Sequence, residues 1–266
     1  MSSPLPNSGA AFDHIADRYD ADSTDLLISR WIRERVWSWL TDIFQPGMRV
    51  LEIGCGTGED AVWLAKRGVS VTATDASPHM LAVTQRKAEE AGVSALVTTR
   101  QLDLNAATSW DIPSHDGAFS NYGALNCIGT YRDLGAALSR IVRPGGRIGL
   151  AVMSPLCVWE LLWHTLHRDL RTATRRLSGT STAHIGGVSF PVYYPTPRRL
   201  IREFGSDFRL QHLRGLGVFL PPSDVYAALG KHPALARRLL RLETLTADHF
   251  PFNQLADHFW LELRRN

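Results

Sequence analysis

The chain has 266 residues, 44% of them hydrophobic, enough to bury one α/β core with an accessory lid and too few for two independent domains. Its net charge of +3 is too small for a dedicated nucleic-acid binder unless the charge is gathered on one face. Cys55, Cys127 and Cys157 have neither paired nor metal-like spacing, and MSSPLPNSGA lacks a basic segment followed by an apolar run. A reduced, cytoplasmic protein without structural metal, secretory signal or membrane span is expected.

Residues 1–10, rich in Ser, Pro, Asn and Gly, read as a loose tail. In AFDHIADRYDADS, Phe12, Ile15, Ala16 and Tyr19 recur at helical spacing, which predicts a short amphipathic helix. From Ser23 to Phe44, Leu26, Leu27, Trp31, Ile32, Val36, Trp39, Leu40 and Ile43 form a long apolar stripe, interrupted by Arg30, Arg33, Glu34 and Arg35. Pro46 and Gly47 then turn the chain into a strand from Met48 to Ile53.

That strand runs into VLEIGCGTGED, where Gly54, Gly56 and Gly58 precede a helix from Glu59 to Lys66. Alternate glycines let a backbone turn tightly and let a ligand approach the first N–H groups of the helix. The GxGxG spacing departs from the GxGxxG of a pyrophosphate turn, and Glu52 would repel a diphosphate while suiting a cationic ligand. The next strand, Val69 to Thr74, ends on Asp75, where an acid lies beside the turn and can accept from two ribose hydroxyls. Ser77 is the better cap for the following helix, with Pro78 at its first position, so Asp75 is expected to be left to a ligand.

The helix from Pro78 gives way at Gly92, and Ala95 to Arg100 reads as a third strand, followed by Leu102, Asp103 and Leu104. Asp116 to Ser120 is a fourth strand that opens into Asn121 and Tyr122; a helix from Tyr131 to Val142, the turn RPGGR and a fifth strand, Ile148 to Met153, follow. In this order VLEIGCGTG, Asp75, Leu102 to Leu104 and RPGGR resemble the motifs of the class I S-adenosylmethionine-dependent methyltransferases of the small-molecule type. The resemblance implies S-adenosyl-L-methionine as donor and S-adenosyl-L-homocysteine as product. It implies donor contacts from Tyr19, Glu52, Gly54, Cys55, Gly56, Gly58, Asp75, Ala76, Asp103, Leu104, Asn121 and Tyr122, with Asp103 accepting from the adenine amine and Leu104 against the ring. The segment from Phe12 to Asp20 is similar to the FDxxAxxYD that covers the donor in methyltransferases of quinone synthesis; on that likeness Tyr19 closes over the methyl donor, and otherwise it packs. SNYGALN lacks the (N/D)PP(Y/F/W) signature, which sets aside methylation of base amines.

Pro155 to Leu177 reads as a lid helix, with Leu156, Trp159, Leu162, Trp163, Leu166 and Leu170 on one face, accompanied by His164, His167, Arg168, Arg171, Arg175 and Arg176. Two readings stand: a solvated basic face, or an aromatic acceptor pocket whose arginines steer an anion. Ser178 to Gly187 reads as a flexible polar link and Val188 to Tyr194 as extended chain, before a helix capped by Thr196. Phe208 to Phe219 is a sixth strand, helices are expected from Ser223 to Leu245, and His258 to Arg264 is the last strand.

The expected fold is α/β, Rossmann-like and doubly wound: a mostly parallel seven-stranded sheet with an antiparallel C-terminal strand and a helical lid. Residues 1–45 cover the donor, 46–153 bind it, 154–200 form the acceptor insertion, and 201–266 complete the sheet. A sulfonium methyl is already electrophilic, so at most the acceptor needs a base. His14, Tyr19, His164, His167, His184 and Tyr193 are the candidates, with His258 assigned to the periphery; Cys127 and Cys157 lack the proline-cysteine context of pyrimidine carbon methylation. The expected function is methyl transfer to oxygen, nitrogen or carbon of a small organic acceptor. RNA or protein methylation, and donor binding without methyl transfer, are the alternatives.

Overall fold

The computed structural model describes residues 7–221 and 232–266. The strands β1 (Arg49–Ile53), β2 (Ser70–Asp75), β3 (Val97–Gln101), β4 (His115–Ser120), β5 (Val142–Met153), β8 (Phe208–Leu216) and β9 (His258–Arg265) form a sheet in the order β3-β2-β1-β4-β5-β9-β8. The first five run parallel, and β9 inserts antiparallel between β5 and β8. Buried parallel strands need apolar side chains on both faces. On one face Ile32, Val36 and Leu40 of α2 (Leu27–Ile43) pack with Val71 and with Leu64 of α3 (Glu59–Ala65). On the other, Leu134 and Leu138 of α5 (Arg132–Ile141) and Leu200 and Phe204 of α8 (Pro197–Phe204) pack on Leu51, Ile53 and Leu150. The strand order reverses between β1 and β4, so a crevice opens at their carboxyl ends, where the glycine turn lies.

The expected flexible link is a strand. Thr180–Ile185 (β6) pairs antiparallel with Val188–Tyr193 (β7) as a separate two-stranded ribbon. Gly186 and Gly187, both at positive φ, make the two-residue loop. Gly-Gly between two runs of strand-forming residues was the available signal. The tail is shorter than expected, because α1 spans Asn7–Asp13 and its Ala11 is buried against Phe190, Val192 and Tyr194 of the ribbon region. Beyond it a 3-10 turn, Ala16–Arg18, and a π turn, Asp20–Thr24, replace the single amphipathic helix. Expected helices from Ser223 lie partly outside the described residues; α9 covers Pro233–Thr246.

The single lid helix is two, α6 (Val158–Leu166) and α7 (Leu170–Thr174), broken at Arg168 with φ 61 and restarted by Asp169, whose carboxylate accepts the Thr172 N–H. Arg175 and Arg176 are not steering groups. Glu160 accepts from Arg175 Nη2 at 2.7 Å and from Arg176 Nη2 at 2.8 Å, and Arg176 also reaches Asp257 Oδ1 at 2.8 Å, so the pair anchors the insertion to the start of β9.

Candidate active site

After β1 the chain turns through Gly54, Gly56 and Gly58, all in the left-handed region. A Cβ on Gly54 would stand 2.2 Å from Ala124 Cβ, and one on Gly58 2.4 Å from Thr84 Cγ2, so these two positions exclude any side chain. The bare turn borders a cavity of about 990 Å³, open mouth included, at the carboxyl ends of β1, β2 and β4. Gly54, Cys55, Gly56, Asp75, Ala76, Asp103 and Leu104 line one part of it, and Tyr19, Arg33, Asn121, Tyr122 and Cys127 another. Ser8, Gly9 and Phe12 of α1 form part of the cover.

Asp75 is less available than its position suggested. Its Oδ2 accepts the Gly56 N–H and its Oδ1 the Ser77 N–H, each at 2.9 Å, while Ser77 Oγ caps α4 (Pro78–Glu90) as expected. Each oxygen keeps a second lone pair for a ligand. Burial pushes the Asp75 carboxyl up, against the pull of those N–H groups. Asp103 spends Oδ1 on the backbone and side chain of Asn105, closing a 3-10 turn that presents Leu104 to the cavity.

Behind the glycine turn lies a charged cluster that the sequence did not announce. Arg33, 8% exposed, donates from Nη1 to Asp60 Oδ1 at 2.7 Å; Trp37 Nε1 donates to the same oxygen and Asn121 Nδ2 to Asp60 Oδ2. The Arg33 guanidinium also stacks on the Tyr122 ring, 4.4 Å from its centroid. Burial opposes its charge, but Asp60 and Tyr122 outweigh that and hold it ionised. Arg33 Nε is buried without a partner, and so is Oε2 of Glu52. Glu52 does not line the cavity; it is buried beside Asp60, Arg33 and Asp75, and burial first, then Asp60, pushes its carboxyl well above the usual range. Gly58 also stands off the cavity, at the N-cap of α3.

The N-terminal segment is strapped across this site. Asp13 accepts from Ser77 Oγ at 2.6 Å, the His79 N–H at 3.0 Å and His79 Nδ1 at 2.6 Å; Asp20 meets Lys87 Nζ at 2.5 Å and Thr57 Oγ1 at 2.6 Å. Burial alone would raise Asp13, yet the hydrogen bonds from Ser77 and His79 hold it below its ordinary value, and Asp13 in turn raises the exposed His79. An acid held low adds stability above its unfolded pKa that is lost as pH falls through its folded value; a base held high adds stability below its unfolded pKa that is lost as pH rises through its folded value. The latch is therefore strongest between the ordinary values of about 4 and about 6.5 and loosens on both sides. The difference in thermal midpoint between wild type and His79→Gln is expected to shrink as pH rises through the raised His79 value, and a difference that stays constant with pH would remove the ionic part of the latch.

Residues 50–146 match the family model of a methyltransferase domain. Matching relatives include an S-adenosyl-L-methionine-dependent Diels-Alderase of Talaromyces variabilis, 32% identical over 46% of this chain and 41% of that protein. Another is a demethylmenaquinone methyltransferase of Beutenbergia cavernae, 32% identical over 57% of this chain and 61% of that one. This chain thus spans about half the length of these curated relatives. Among solved structures, the 4+2 cyclase SpnF superposes over 100% of this chain and 97% of its own, with a TM-score of 0.66 at 16% identity, a likeness of fold. Residues 50–146 thus carry a methyltransferase domain, similar to those of the class I S-adenosylmethionine-dependent methyltransferases.

Within this methyltransferase fold, the histidines chosen from sequence do not meet the cavity. His14 Nδ1 hydrogen-bonds the Gly186 carbonyl at the ribbon's loop, His184 pairs with Ser189, His167 stacks on Trp163, and His164 faces Asp169. Tyr193 rests against Gly129 rather than in the cavity. Tyr19 lines it, and its buried hydroxyl is raised above its ordinary value. His258, assigned to the periphery, stands opposite Met153 at the site end of β5, its ring centroid 6.4 Å from that of Tyr122. The Cys127 thiol lines the cavity, but burial pushes it up to about 11, which leaves it protonated at neutral pH.

Proposed function

We propose that this protein transfers the methyl group of S-adenosyl-L-methionine to oxygen, nitrogen or carbon of a small organic acceptor. One observation carries the reading: a single cavity is lined by Asp75, Asp103 and, across the bare glycine turn, the buried Arg33, which Asp60 and Tyr122 hold ionised. That donor set fits a ligand with ribose hydroxyls, an amine-bearing base and a carboxylate. When bound, the donor supplies an electrophilic methyl on sulfur. Asp75 would accept from the ribose hydroxyls through its remaining lone pairs, Asp103 from the adenine amine, and Leu104 would pack on the ring. Arg33 would pair with the donor carboxylate. Phe12 and Tyr19 would exclude water from the reacting centre. The α1 helix and the Cys127 region, backed by the ribbon, would shape the acceptor end, with residues 46–153 as the donor-binding core and a cytoplasmic setting.

Arg33→Met is expected to weaken donor binding by about 10-fold or more, since it removes the carboxylate's partner and leaves Asp60 with its neutral donors Trp37 and Asn121 but without its cation. Isothermal titration with donor and product measures this; equal affinity in the variant would assign Arg33 to packing.

A second reading is pericyclic ring closure with a bound donor that is not consumed, suggested by the Diels-Alderase relative and by the lack of any histidine on the cavity wall among the described residues. Incubating the protein with methyl-labelled donor and fractionated cell extract separates the two. Label entering small molecules supports methyl transfer; label in RNA or protein overturns the small-acceptor part; donor binding with no label transferred and with ring formation in a candidate polyene supports the second.

A further inference from the structure

Helix α6 is built inside out. Its sequence, VWELLWHTL, holds one acid, and that acid, Glu160, is 1% exposed, while Leu162 and Leu166 are 57% and 79% exposed. The ridge continues beyond the break with Leu170 at 63% and Leu177 at 57%. The buried ions explain the orientation. Glu160 is gripped by Arg175 and Arg176, and Arg176 by Asp257, so rotating α6 to hide its leucines would break buried ion pairs. The apolar face is therefore held outward, where water gives it nothing in return.

The charges beside the leucines indicate what covers them. Arg168 and Arg171 are exposed on the same segment, and Trp159 and Trp163 are half-buried along α6. Asp169, the one acid from Leu161 to Leu177, is engaged as the cap of α7. We propose that the α6–α7 ridge docks on an anionic lipid surface, with Leu162, Leu166 and Leu170 at the acyl boundary and Arg168 and Arg171 among the headgroups. The contact lies in the membrane plane, because no helix among the described residues is long and apolar enough to cross a bilayer. A second copy fits less well: a two-fold pairing of this ridge would set its arginines against their own mates.

The full-length protein is sedimented with vesicles of phosphatidylcholine alone and with vesicles containing about 30% phosphatidylglycerol, at low and high salt. Association with the anionic vesicles is expected to be at least about 10-fold stronger and to weaken with salt. Leu166→Glu with Leu170→Glu should abolish it, and Arg168→Glu with Arg171→Glu should weaken it by at least about 10-fold, with thermal midpoints unchanged because all four residues are exposed. No vesicle binding, or binding indifferent to both pairs of substitutions, overturns the proposal. So does a dimer in light scattering that the leucine substitutions dissociate while vesicles stay unbound.

Discussion

Asp75→Ala is expected to lower donor affinity by at least about 100-fold, as two hydrogen bonds to a charged group at about 1.5–3 kcal/mol each would be lost. The same carboxylate joins two backbone segments, because its oxygens take the N–H groups of Gly56 in the turn and Ser77 at the α4 cap. Alanine leaves both donors without a partner, which adds a stability loss of about 1–3 kcal/mol. Titration calorimetry on variant protein with an intact circular dichroism spectrum separates lost contact from lost fold. Asp75→Asn provides the control, since it retains one acceptor oxygen and should fall between the two. Undiminished binding in Asp75→Ala would move the ribose away from β2 altogether.

Glu160→Ala should cost about 3–5 kcal/mol of folding stability, the usual range when one member of a buried ion cluster is removed. Arg175, whose side chain is 40% exposed, can turn to water, but Arg176 at 7% cannot, and it would keep Asp257 and the Ser154 carbonyl. Asp257 is held far below the ordinary carboxylate range against its burial, chiefly by Arg176, so the rest of the cluster stays ionised. Urea unfolding measures the loss. Donor affinity should barely change, because no residue of α6 lines the cavity. A triple substitution, Glu160→Leu with Arg176→Leu and Asp257→Asn, should recover part of the stability, since neutral residues of similar volume can replace a buried ionic cluster when no member is left charged without its partner. A loss below about 1 kcal/mol in Glu160→Ala would mean that water already screens the cluster.

What sequence reasoning could reach was local. The glycine turn, Asp75 at a strand end and Asp103 beside Leu104 each declare themselves within a few residues, because strand, turn and cap chemistry act over that range. Arg33 did not declare itself. It lies in the same helix as the apolar stripe and looked like an interruption of it; yet Ser29, Ile32, Arg33, Val36 and Leu40 are all buried, so an arginine on the inward face was the missed sign. Glu160 was equally hidden. An acid among tryptophans and leucines is paired by Arg175 and Arg176, 15 and 16 residues later, and Arg176 is held in turn by Asp257. Histidine positions failed for a topological reason. The antiparallel β9 returns its first residue to the carboxyl end of β5, so His258 arrives near the cavity although it stands late in the chain.

The N-terminal strap holds on to two parts of the molecule at once. Asp13 and Asp20 tie it to the walls of the glycine turn, while His14 reaches the loop of the ribbon and α1 packs against β7. On the proposed function, a clasp of this kind predicts a sequence in time: with the donor bound in the cavity and the strap fastened over it, the acceptor end would be completed only on a protein already loaded. Initial-velocity kinetics should accordingly be compulsory-ordered, with the nucleoside-bearing substrate entering first and its spent form leaving last.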